Sequence, residues 1–96
     1  MGMFGKARAK RKRKRKRQRR SRLARDLQFF RENDNPGLLL KRLFSMPGVT
    51  SACLETGFTC FVDVTMRDGF EISRSAVLSH DALRKAAGAV AARVKA

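Results

Sequence analysis

Acidic residues are missing from the first quarter of this chain. The 96 residues include eight Asp and Glu, and none of them precedes Asp26. Metal ligands are scarce as well. One histidine and two cysteines, with no C-x-x-C pair, fall short of a structural zinc site. No Gly-rich phosphate loop, paired carboxylates or metal motif is present, so the sequence carries no enzyme signature and calls for no cofactor. The remaining catalytic constellation is Cys53 or Cys60 as thiolate with His80 as base. It fails on the strand pattern described below, which places Cys60 in the core. No apolar run approaches the roughly 18 residues of a membrane span, so no membrane partner is expected. The charged N-terminus is followed by no apolar stretch of the secretory kind, and residues 10–20 contain no apolar residue with which to build a transit-peptide stripe.

What fills the acid-free quarter is positive charge. Residues 1–25 hold 14 of the 23 Lys and Arg: Lys6, Arg8, Lys10, Arg11, Lys12, Arg13, Lys14, Arg15, Lys16, Arg17, Arg19, Arg20, Arg22 and Arg25. Residues 26–96 carry nine basic and eight acidic groups, so a nearly neutral body follows a strongly cationic arm. Like charges at i,i+4 oppose a helix in the free arm, which predicts disorder alone and order only with a partner. That partner must be a polyanion, and nucleic acid is the obvious one. The arm has no aromatic between Lys6 and Arg25, so it offers no base-stacking platform and predicts contact with the phosphate backbone alone.

Beyond the arm, residues 1–22, the chain divides into an amphipathic linker helix over 23–34 and a folded domain over 35–96. In the linker, Leu23, Leu27 and Phe30 recur at helical spacing, with Arg22, Arg25 and Asp26 turned elsewhere. The cluster Asn33-Asp34-Asn35-Pro36-Gly37 ends it. Asn35-Pro36 then opens a helix over about 36–46, with Leu39, Leu40, Leu43 and Phe44 inward and Lys41 and Arg42 available to phosphate.

From Val49 the period becomes two, predicting antiparallel strands over roughly 49–54, 58–66 and 70–77. A three-residue loop with Gly69 left-handed pairs Met66 with Phe70 and Val64 with Ile72, matching apolar with apolar. The same logic at Glu55-Thr56-Gly57 pairs Leu54 with Phe58 and Ala52 with Cys60, with Gly57 left-handed. In that register Cys60 faces the core and Cys53 the other side, which predicts two free thiols and a reducing compartment. Ser79 reads as the N-cap of a last helix, with Asp81 in its first turn. Its inner stripe is Leu83, Ala86, Ala87, Val90, Ala91 and Val94, with Arg84, Gly88 and Lys95 opposite.

The predicted fold is α+β: a three-stranded antiparallel sheet flanked by helices and preceded by the basic arm. The stretch Phe58-Thr59-Cys60-Phe61-Val62-Asp63-Val64 with Asp68-Gly69, and later Ala82-Leu83-Arg84-Lys85-Ala86-Ala87, resembles the second strand, turn and last helix of the double-stranded-RNA-binding domain family. The resemblance implies an α-β-β-β-α topology over about two-thirds of the chain. The family's phosphate-gripping lysine pair is Ser79-His80 here, and its groove-reaching loop is shortened to Glu55-Thr56-Gly57. Residue by residue, only Arg84 and Lys85 carry over as phosphate contacts. Arms of this kind are similar to those of virion and ribosomal proteins.

These readings combine into one expectation. The arm binds DNA or RNA without sequence preference, and the domain docks on a protein partner or on itself, inside a nucleoprotein particle such as a virion interior or a ribosome-like assembly. A ribonucleoprotein component, or a regulatory protein whose basic run is a targeting segment, are the other readings.

Overall fold

The computed structural model describes residues 22–95. Helix α1 spans residues 22–32, followed by α2 (Pro36–Phe44), β1 (Val49–Glu55), β2 (Cys60–Met66), β3 (Glu71–Ala76) and α3 (Ser79–Lys95). The strands form one antiparallel sheet in the order β1-β2-β3. The α+β class and the α-β-β-β-α arrangement are as expected.

Local chemistry accounts for the element boundaries. The Asn35 side chain accepts hydrogen bonds from the N–H groups of Gly37 at 3.0 Å and Leu38 at 3.3 Å, and Pro36 occupies the first helical position. After α2 the chain turns through Gly48, whose φ of +81° is a conformation L side chains rarely adopt. A Cβ there would also lie 3.0 Å from Met66 Cε. Gly69, with φ +85°, closes the β2–β3 turn, and its N–H bonds the Met66 carbonyl at 3.0 Å. Val64 pairs with Ile72 as the apolar matching required.

The first hairpin departs from expectation. Leu54 pairs with Val62 and Ala52 with Val64, four residues away from the predicted register. The link over 56–59 is longer than a three-residue turn, Gly57 has no positive φ, and Phe58 lies outside the strand, fully exposed. The reason is the period itself. A shift by an even number of residues keeps every side chain on its face, so alternation fixes the face and leaves the register open. For the same reason the cysteine assignment survives: Cys60 is buried, Cys53 is exposed opposite Asp63, and both are free.

The helices cover one face of the sheet. Val62, Val64 and Met66 of β2 and Ile72 of β3 meet Leu39 and Leu43 of α2 and Leu83 and Val90 of α3 in one core. Ala82, Ala86, Ala87 and Ala91 are buried, and their small side chains let α3 lie close to β2 and β3. Leu23 and Phe30 bring α1 into the same cluster.

Four side chains sit otherwise than predicted. Phe44 points outward and is half exposed. Asp26 is buried to 3% exposure. Its Oδ1 accepts from Arg42 Nε at 2.8 Å, and its Oδ2 has no partner among the described residues. Ser79 is the first residue of α3, where the Leu78 carbonyl accepts from the Ala82 N–H at 3.1 Å. The Ser79 hydroxyl instead lies 3.3 Å from Cys60 Sγ.

Arg84, expected to face solvent, is half-buried. Its Nε donates to the Phe30 carbonyl at 2.6 Å, and its Nη2 donates to the Asn33 carbonyl at 3.2 Å and to Asp34 Oδ1 at 2.6 Å. These carbonyls belong to the last turn and end of α1, which leave acceptors without intrahelical partners. Arg84→Met keeps the apolar stem and strips those acceptors of their donors. We expect it to lower stability by about 2 kcal/mol, read as a reduced urea midpoint together with faster amide exchange in α1.

Candidate nucleic-acid interface

Most of the predicted interface, from Lys6 to Arg20, lies outside the described residues. Its last two members open α1. Arg22 is exposed, with a terminal nitrogen 2.8 Å from the Ser45 carbonyl, and Arg25 is exposed with no partner among the described residues. Further along the same helix Arg31 is also exposed, and Lys95 of α3 shares a shallow groove with it, lined by Ala24, Leu27, Gln28 and Glu32. Arg31, Lys95 and the exposed Arg67 were not singled out in the sequence. The helical repeat does place Arg31 on the solvent side of α1, but a charge between acids gives no signal of its own.

The domain's other cations are largely engaged within the protein. Lys41 stands exposed on α2, while its neighbour Arg42 holds Asp26 and lies 5.0 Å above the Phe29 ring. Arg84 closes α1 as described, and Lys85 Nζ donates to the Ser75 carbonyl at 3.1 Å. The two positions carried over by resemblance therefore both hold protein atoms. Arg74 donates to the Ser73 carbonyl at 2.7 Å.

Charge on the open face of the sheet has the opposite sign. The register aligns Ser51, Thr65 and Glu71 in one row, Cys53, Asp63 and Ser73 in the next, and Glu55, Phe61 and Ser75 in the third. The face thus carries three carboxylates and no cation. Ser73 Oγ donates to Asp63 Oδ1 at 2.6 Å. A phosphate backbone laid across these rows meets like charge.

The cysteines and the histidine stand apart among the described residues. Cys60 Sγ lies 3.5 Å from the Val77 carbonyl, and His80 Nε2 lies 3.7 Å from Asp81 Oδ1. Among the described residues no hydrogen bond joins His80 to either cysteine, and no three His, Cys, Asp or Glu side chains converge as a metal site would require. No helix among them is long and apolar enough to cross a membrane. No protein-family model, curated protein or solved structure matches the chain.

One acid is tuned by the same cation economy. Arg93 donates to Asp68 Oδ2 at 2.7 Å and stacks 3.6 Å above the Phe70 ring. That hydrogen bond, with a second from the Phe70 N–H, holds the Asp68 carboxyl below the ordinary 3.8. Because the folded value is depressed, the bond's contribution is present above the ordinary value and fades as pH falls through the folded one. Side-chain NMR titration should give Asp68 a midpoint below 3.8. Arg93→Ala should move that midpoint upward; an unmoved midpoint would show that Arg93 does not set it.

Proposed function

We propose that the protein is a structural nucleic-acid-binding component, most naturally one that contacts a packaged genome inside a virion or a similar nucleoprotein particle. The arm neutralises phosphate without reading sequence, and the domain holds the arm in place by docking on protein. The observation that carries this reading is the segregation of charge: 14 basic residues and no acid lie before Asp26, while nine basic and eight acidic groups lie from there on.

The domain's geometry supports the same division of roles. Arg42, Arg74, Arg84, Lys85 and Arg93 are engaged by protein acceptors, and the open sheet face is acidic. A body of that kind suits a protein neighbour better than a duplex. The α-β-β-β-α order favours a second reading, a ribonucleoprotein component whose body also meets RNA. The nucleic acid that copurifies from the native source divides the two, genomic in the first case and ribosomal in the second.

The physics of the arm is directly measurable. Each cation that meets a phosphate releases condensed counterions, so affinity falls as a power of salt concentration. With all arm cations engaged on duplex DNA, the slope of log K against log salt approaches about −12. Replacing the eight basic residues of Lys10–Arg17 with Gln should reduce its magnitude by roughly 7. Affinities for unrelated duplexes of equal length should agree at any one salt concentration. Binding that survives deletion of residues 1–22 unchanged would remove the arm from its assigned role.

A further inference from the structure

We propose that two copies of the protein associate through β1, edge to edge and antiparallel about a two-fold axis, so that the sheet continues across the dimer. This deepens the protein-docking half of the reading above and is independent of the nucleic-acid half.

The argument begins with the phase of the hydrogen-bond ladder. Met66 N–H donates to the Phe70 carbonyl at 2.8 Å, so the even-numbered residues of β2 face β3. The odd ones face β1, as confirmed by the Thr65 carbonyl accepting from Thr50 Oγ1 at 2.9 Å. In β1, therefore, Ser51, Cys53 and Glu55 bond to β2. The N–H and C=O groups of Ala52 and Leu54 point away from the sheet, and no partner for them occurs among the described residues.

The two edges of this sheet are treated differently. On β3 the outward carbonyls of Ser73 and Ser75 are covered by Arg74 at 2.7 Å and Lys85 at 3.1 Å. Basic side chains over edge carbonyls are a common way to block strand addition. β1 has no such guard. From Val49 to Leu54 it contains no charge and no proline, and Ala52 and Leu54 are left half-buried beside the open ladder.

The chemistry of the edge selects its occupant. An added strand must be apolar on the helix-covered side, next to Ala52 and Leu54, and polar on the other, next to Ser51 and Cys53. A segment of the arm fails this, because from Lys10 to Arg17 it would place a cation at every position on both sides. β1 itself satisfies it, and in the pairing below its single charge, Glu55, lies opposite Ser51 of the second copy and not opposite the other Glu55. The ladder is irregular between Val49 and Ser51, so the regular outward groups are those of Ala52 and Leu54. Pairing Ala52 with Leu54 of the second copy, and the reverse, uses all of them in two hydrogen-bonded pairs and sets large against small on the apolar side. It also places the exposed Cys53 directly opposite its symmetry mate in a non-hydrogen-bonded pair. The Cα separation there, about 4.5 Å, falls within the roughly 4.4–6.8 Å that a disulfide spans.

The test uses the full-length chain, freed of nucleic acid by nuclease and molar salt. Light scattering after size exclusion should give twice the monomer mass. Diamide, which is reduced as it takes up the two thiol hydrogens, should convert the dimer to a disulfide-linked one. Cys53→Ser should abolish that cross-link and leave the mass doubled. Ala52→Pro removes an outward N–H without removing a β1–β2 bond, and should halve the mass with the circular dichroism retained; Leu54→Lys should do the same through charge on the edge. A monomeric wild-type chain at millimolar concentration would overturn the proposal. So would a dimer that persists in both edge variants, or one lost only on Phe61→Asp, which would place the contact at the exposed Phe58, Phe61, Val77 end of the sheet. Because none of these readouts measures nucleic-acid binding, their failure leaves the salt-slope measurement standing on its own.

Discussion

Arg84 reaches from the middle of α3 to the carbonyls of Phe30 and Asn33 and to the Asp34 carboxylate, some fifty residues earlier in the chain, and in doing so ends α1 against the domain. Helices that stop without glycine must find other donors for their last carbonyls. Here the donors come from a planar cation whose fork can serve several acceptors at once. The other end of α1 is held by Arg22 on the Ser45 carbonyl, and its middle by the buried Asp26 on the half-buried Arg42. Three arginines thus fasten the helix that follows the arm, with Leu23 and Phe30 filling the core beneath it.

This use of arginine bears on function through subtraction. A cation that closes a helix, covers a strand edge or neutralises a buried carboxylate has committed at least one of its donors within the protein. Arg42, Arg74, Arg84, Lys85 and Arg93 all do one of these, or hold an exposed acid. The cations from Lys6 to Arg20 have no acid among them with which to pair. The separation seen in composition is therefore accompanied by a difference in engagement: five of the body's nine cations already donate to protein acceptors.

Much of the fold was legible because the signals were local. Asn35-Pro36 announced a helix start, Asp68-Gly69 a turn, and the alternation from Cys60 to Met66 a half-buried strand, each decided by residues within a few positions of one another. The features that escaped depend on partners distant in sequence. The β1–β2 register was free to slide by an even number because the faces remain satisfied, and only three-dimensional packing chose Leu54 against Val62. Asp26 read as a solvent residue because its partner Arg42 lies on another helix, and Arg84 read as a phosphate contact for the same reason. Phe44 shows the reverse error, an apolar residue counted into the core that the short α2 carries past it. Of the candidate interface, the charge of the arm was legible from composition, while the state of each cation on the body was not.

The attachment of the arm carries one more consequence. Between the last run of cations and α1 there is no Gly-, Ser- or Pro-rich linker, only Ser21 before the helix begins at residue 22. A flexible linker would let the arm's origin wander over a radius growing as the square root of its length. Here the origin is set by a helix whose flank is locked to α2 and whose far end is locked to α3. Arg25 and Arg31 extend the cationic character of the arm along the exposed side of that helix. On the proposed reading, phosphate held by the arm would meet the body first at α1, while the open face of the sheet, with its three carboxylates, would repel it.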